Sequence, residues 1–312
     1  MNQHPVFSRH ASVVALACLC CMLWGSAFPS IKLGYAEFHL AATDVPSKLV
    51  FAGWRFALAG ALLLLWAQAT GRAVWQLSAP QWRKVAALGL LQTSLQYVFF
   101  YIGLAYTTGA KGSIMNATSV FFGVILGHFL YANDRLTWPK AVGCVLGFTG
   151  VLVVNFHADL LDFQFDWRGE GFVIVAALVL TLGVVFGKRV SQGMDAAVMT
   201  AHQLTVGGLA LLAAGYALGG HLVGQGGSIT VLGMGLLVYM ALLSAVAFAV
   251  WSLLLKYNPV GMISVFNFLI PVFGVLLSAL LLGESVWEWK YAAALLLVCS
   301  GITLVTRPKK EP

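Results

Sequence analysis

Ten runs of apolar residues, separated by short polar stretches, make up most of this chain. They lie at about 11–32, 49–67, 85–106, 108–131, 138–156, 171–188, 197–218, 229–255, 259–282 and 288–306. A helix needs about 20 such residues to cross a hydrocarbon layer. Glycine or proline punctuates the loops between them. The pattern predicts an all-α integral membrane protein with ten transmembrane helices. The first run is too long, and its basic flank too weak, for a cleaved signal peptide. The chain shows no soluble domain and no low-complexity segment.

The runs repeat. Residues 113–138 return 151 positions later, as residues 264–289. Without a gap, Asn116 falls on Asn267, Phe122 on Phe273, Gly123 on Gly274, Leu126 on Leu277 and Trp138 on Trp289. The same offset aligns Tyr106 with Tyr257 and Gly150 with Gly301. Chance supplies leucine matches in so apolar a chain, but hardly the Asn, Gly and Trp together. With shifted offsets, Trp54 falls on His202, Arg55 on Gln203 and Gly25 on Gly183. The expected organisation is a first five-helix repeat over 1–156, a connecting loop over 157–170 and a second five-helix repeat over 171–312. An odd number of helices per repeat turns the second half upside down relative to the first.

Charge sets the orientation. With the N-terminus in the cytoplasm, that side carries twelve Lys and Arg residues, among them Arg72, Arg83, Lys84, Lys140, Lys188 and Arg189. The other side carries five: Lys32, Lys48, Lys111, Arg168 and Lys290. Basic residues accumulate on the cytoplasmic side, so both termini are expected inside, in a bacterial inner membrane. Trp66, Trp75, Trp82, Trp138, Trp167, Trp287 and Trp289 fall near helix ends, as an interfacial belt requires.

Composition agrees. The chain is 60% hydrophobic and 9% charged, whereas soluble domains carry about a quarter charged residues. The net charge of +7 sits in short loops, which excludes a nucleic-acid partner in favour of the lipid bilayer. Five cysteines all lie in apolar runs, which is no secreted disulfide framework. Cys18, Cys20 and Cys21 have no His or carboxylate near them in sequence, so no metal site is expected. Gly183–Arg189 is one residue short of a P-loop and ends an apolar helix. No nucleotide, metal or other cofactor is expected.

Several of these residues carry a resemblance. Ten helices in two repeats, the WGSAFPSIK stretch at 24–32 and the Arg55-bearing second helix resemble the drug/metabolite transporter superfamily. Gly283-Glu284 and the small-residue last helices are similar to its EamA branch. One departure is Asn133-Asp134, where the first repeat should have Gly-Glu. The resemblance implies a secondary-active or facilitative transporter of a small metabolite, an amino acid or related compound, working as an exporter by alternating access. A non-transporting scaffold or sensor, or an intramembrane enzyme, are the alternatives; the latter lacks a paired nucleophile and base.

Ten residues are candidate substrate contacts: Trp24, Ser26, Arg55, Gln92, Gln96, Tyr101, Asn116, His202, Gln203 and Asn267. Arg55 is the one charged residue well inside a run. It either snorkels to the interface or faces a cavity, where it attracts a carboxylate or holds a carbonyl. Gln92 and Gln96 stand one helical turn apart, and either glue helices or touch substrate. His202 and His128 are packing residues or proton carriers. Trp24 and Ser26 precede Pro29, whose ring frees a backbone carbonyl and bends the helix. Asn116 and Asn267 each lie roughly 12 Å into a helix; they line a central cavity or cap breaks in their own helices. No Asp or Glu lies inside a run, which favours facilitated transport, exchange or coupling through histidine. The Gly143/Gly147 pair and the Gly53, Ala57, Ala61 ridge pack helices within the fold or make a homodimer.

A cysteine at Asp162, in the connecting loop, is expected to react with a membrane-impermeant thiol reagent in intact cells. Labelling only after lysis would overturn the orientation and the inverted repeat with it.

Overall fold

The computed structural model describes residues 5–41, 43–156, 165–282 and 289–306, and every element among them is helical. After a turn at Pro5–Ser8 come α1 (His10–Glu37), α2 (Val45–Ala69), α3 (Ala79–Ala105), α4 (Gly109–Leu130) and α5 (Trp138–Val154). Then follow α6 (Trp167–Ser191), α7 (Ala196–Ala217), α8 (Val231–Tyr257), α9 and α10 (Trp289–Thr306). Helix α9 comprises Val260–Ser264, Val265–Phe268 and Leu269–Leu282. Nine of these are long and apolar enough to cross a membrane. The seventeen residues of α5 rise about 26 Å, the lower limit for a span. The chain is a multi-pass membrane protein.

Local chemistry sets the helix ends beyond the apolar runs. Helix α3 begins six residues before its run, because Ser78 and Gln81 cap each other's backbone around Pro80. Helix α2 begins at Val45, where the Asp44 carboxylate accepts from the Ser47 amide at 3.0 Å. A π-helical turn opens α6 at Trp167–Gly171, and three irregularities sit in the interior of spans. Residues Gly89–Leu95 of α3 form a π-helical stretch, α4 resets at Ala117, and Val265–Phe268 of α9 tighten into 3₁₀ geometry. The resets of α4 and α9 fall on Asn116–Ala117 and Asn267, the repeat equivalents.

Packing follows the repeat. Helix α1 packs on α8 and α9, and α6 packs on α3 and α4; α2 meets α7 and α8, and α7 meets α2 and α3. Helices α5 and α10 pair, as do α4 and α9. Exchanging the first five helices for the last five leaves this pattern unchanged. Small residues permit the closest approaches. A Cβ on Gly208 of α7 would lie 2.3 Å from the Ala57 amide nitrogen of α2. A Cβ on Gly143 would lie 2.6 Å from the Gly301 carbonyl, and one on Gly150 2.9 Å from that of Ala294. Those two contacts are repeat equivalents. Gly143 and Gly147 of one ridge and Gly53 of the other are thus packed against neighbouring helices within the fold.

Asp134, at the departure from the Gly-Glu pattern, is fully buried. It accepts from the Gly261 amide at 2.7 Å, capping the start of α9, and pairs with Lys140 at 2.6 Å. Asp162, Gly283-Glu284 and Trp287 lie outside the described residues.

Gly208→Val is expected to destabilise the folded protein by about 1–3 kcal/mol, through overpacking of the α2–α7 interface. Thermal unfolding in detergent micelles checks this; an unchanged midpoint would mean that the two backbones do not meet.

Candidate functional site: a cavity at the centre of the bundle

A cavity of about 150 Å³ opens where α1, α2, α3, α4, α6, α8 and α9 converge. On α1 its wall is Trp24, Ala27, Phe28 and Ile31, a stripe at helical spacing. On α3 it is Gln92, Gln96, Tyr97, Phe100 and Tyr101. Helix α2 contributes Arg55, α4 Asn116, α6 Leu180 and Val184, α8 Phe248 and Trp251, and α9 Asn267 and Ile270. A second chamber of about 140 Å³ shares Phe28, Phe100, Asn116 and Asn267 with the first. It runs past Leu104, Gly109 and Gly112 toward the α3–α4 turn.

Arg55 is 2% exposed. Its Nε donates to Ser244 Oγ at 2.8 Å, and its guanidinium stands 5.0 Å over the Phe56 ring. Ser244 passes its own proton to the Met240 carbonyl at 2.8 Å. The charge therefore rests on a neutral hydroxyl and a ring face.

The two glutamines divide. Gln92 Oε1 accepts from Gln203 Nε2 at 3.2 Å, fastening α3 to α7. Gln96, 5% exposed, has no hydrogen-bond partner among the described residues, and neither has Asn116. The Oδ1 of Asn267 is buried without one. A buried amide oxygen normally finds a partner, so Asn267 Oδ1, with Gln96 and Asn116 on the same wall, marks where the wall expects something wet or bound.

Three of the ten sequence candidates stand elsewhere. Ser26 falls off the α1 stripe; it donates to the Leu23 carbonyl at 2.7 Å and meets the Tyr239 hydroxyl at 2.8 Å. His202 is 2.7 Å from the Val74 carbonyl and packs edge-on against Trp75 and Trp82. Gln203 sits behind the cavity wall, on Gln92. His128 accepts from the Leu136 amide at 3.0 Å. Both histidines are held by backbone groups outside the cavity.

The sequence reading named Trp24 and Tyr101 but missed the aromatic partners of Trp24 on α8. Trp24 meets Phe248 and Trp251 edge-on, with centroids 5.4 and 5.0 Å apart.

His202→Gln is expected to lower the thermal midpoint by removing a buried hydrogen bond, about 1 kcal/mol, and to leave the pH profile of transport in place. A flattened profile would return this histidine to the transport cycle.

Comparison with known proteins places this architecture. An uncharacterized transporter of Archaeoglobus fulgidus is 26% identical over 289 residues, covering 92% of this chain and 95% of that protein. A probable amino-acid metabolite efflux pump of Salmonella typhimurium is 25% identical, covering 91% of each. A solved crystal structure shares the fold, with a TM-score of 0.74 at 20% identity over 94% of this chain and 96% of its own. The profile of the EamA-like transporter family matches residues 11–156 and again 167–307. The chain belongs to the EamA-like transporter family.

Proposed function

We propose that this transporter exports a small metabolite, an amino acid or related compound, across a bacterial inner membrane by alternating access. Its ten helices form two inverted five-helix repeats, with both termini cytoplasmic. The observation that carries the reading is the cavity wall, built from both halves and holding the repeat-equivalent Asn116 and Asn267. Each is the eighth residue of its helix, counted from Gly109 in α4 and from Val260 in α9. Both helices depart from α geometry there, at the Ala117 turn and in the 3₁₀ stretch Val265–Phe268, and such breaks at membrane depth are tolerated against protein or a water-filled cavity. The exchange-invariant packing supports a rocking motion of one repeat against the other. The name of the Salmonella relative supports the substrate range and direction. Facilitated transport is favoured over proton coupling, because no carboxylate or histidine is among the residues lining either chamber.

Cysteines placed singly at Asn116 and Asn267 are expected to react with small aqueous thiol reagents. Asn→Ala at either site should reduce transport more than stability, with the double variant non-additive. If neither cysteine were labelled from either side of the membrane, the cavity would not be the transport route.

A further inference from the structure

Arg55 is the single Lys, Arg, His, Asp or Glu residue among those lining either chamber. The six carboxylates among the described residues stand at or near helix ends, and none of them pairs with Arg55. The buried guanidinium spends one donor on Ser244, out of the five it carries. Removing an uncompensated charge from water is costly, and the site holds an excess of one positive charge. The partner that a guanidinium fork matches best is a carboxylate, through two parallel N–H···O bonds.

The remaining wall discriminates further. A zwitterionic amino acid would bring its own ammonium and leave the site as positive as before. That ammonium would find no carboxylate, only amide groups and rings whose faces are weak hosts. A molecule carrying a carboxylate and no ammonium would neutralise the site. Its hydroxyl, oxo or amide group would meet Gln96, Asn116 and Asn267, which lack protein partners. Its apolar body would meet Trp24, Phe248 and Trp251.

We propose that the cavity selects organic monoanions, carboxylates whose body carries no ammonium, and that Arg55 is the residue that sets this charge preference. The inference rests on the cavity being the transport site, and narrows its substrates from amino acids to their deaminated or acylated relatives.

Two matched pairs test it: 3-phenyllactate against L-phenylalanine, and 2-hydroxyisocaproate against L-leucine. Each pair shares a skeleton and differs in an α-hydroxyl against an α-ammonium. Calorimetry on purified wild-type protein is expected to show the hydroxy acid binding on the order of tenfold more tightly in at least one pair. Arg55→Gln should abolish that difference, and Arg55→Lys should restore part of it. In proteoliposomes, the flux of the hydroxy acid should carry one negative charge per molecule and respond to an imposed potential. Equal or tighter binding of the amino acids by wild-type protein would overturn the proposal, even if the Arg55 variants failed to fold. So would a preference that survives in folded Arg55→Gln, or no binding of any of the four. Amino-acid flux without hydroxy-acid flux would sink the charge preference and leave the transport reading standing. Absence of flux for the whole set, with tight hydroxy-acid binding, would do the reverse.

Discussion

A hydrocarbon layer offers no hydrogen bonds, and the rest of this structure depends on that constraint. Every backbone amide and carbonyl at membrane depth must be paired within the protein, which is why the described elements are all helices. An interrupted helix is then admissible only where something other than lipid lies against it. Helices α4 and α9 are both interrupted at Asn116–Ala117 and Val265–Phe268, and the two interruptions face the same cavity. The asparagine side chains do not repair the backbone; they stay available in the wall. The breaks and the cavity are one feature seen from two sides.

The two ends of the molecule are tied by equivalent bonds with different chemistry. Near the α3–α4 turn, Thr107 donates to Glu170 Oε1 at 2.6 Å, joining that turn to the start of α6. At the other end Asn258, the repeat equivalent of Thr107, donates to the Phe7 carbonyl at 2.8 Å, joining the α8–α9 turn to the Pro5–Ser8 turn that precedes α1. Further bonds lie at that second end. Lys188 donates to the Leu255 carbonyl at 2.7 Å and to that of Asn258, and Asp134 caps Gly261. The aromatic contact of Trp24 with Trp251 lies across the cavity wall on α1 and α8. The second chamber runs toward the α3–α4 turn, where Lys111 also stands 3.9 Å from Glu170.

Much of this was legible in the sequence because membrane burial leaves strong marks. Apolar runs gave the helices, and the 151-residue repeat singled out Asn116 and Asn267 before any geometry was known. What failed is also physical. Hydropathy cannot see the capping box at Ser78, so α3 started too late. A polar residue on a span reports a need for a partner, not its direction. Ser26, His202 and Gln203 satisfied that need with Tyr239, the Val74 carbonyl and Gln92, and Gln96 did not. Nor does a sequence give helix rotation, so Phe248 and Trp251 looked like any other apolar residues of α8.

The lone charge at Arg55 bears on energetics as well as recognition. A transporter that moves a zwitterion outward against its gradient needs a coupled ion, and no carboxylate or histidine lines the cavity to carry one. A monoanion changes the requirement. Moving one negative charge out of a cell whose interior is negative is favoured by about 2.3 kcal/mol per 100 mV, enough for a roughly fifty-fold outward gradient. With the anion bound, the charge of Arg55 is neutralised, so the loaded site crosses between states without carrying the field. The empty site returns with its positive charge uncompensated, and the potential acts on that step. On the proposed substrate class, a single buried arginine would therefore supply both the selectivity and the coupling to the membrane potential that a proton relay supplies elsewhere.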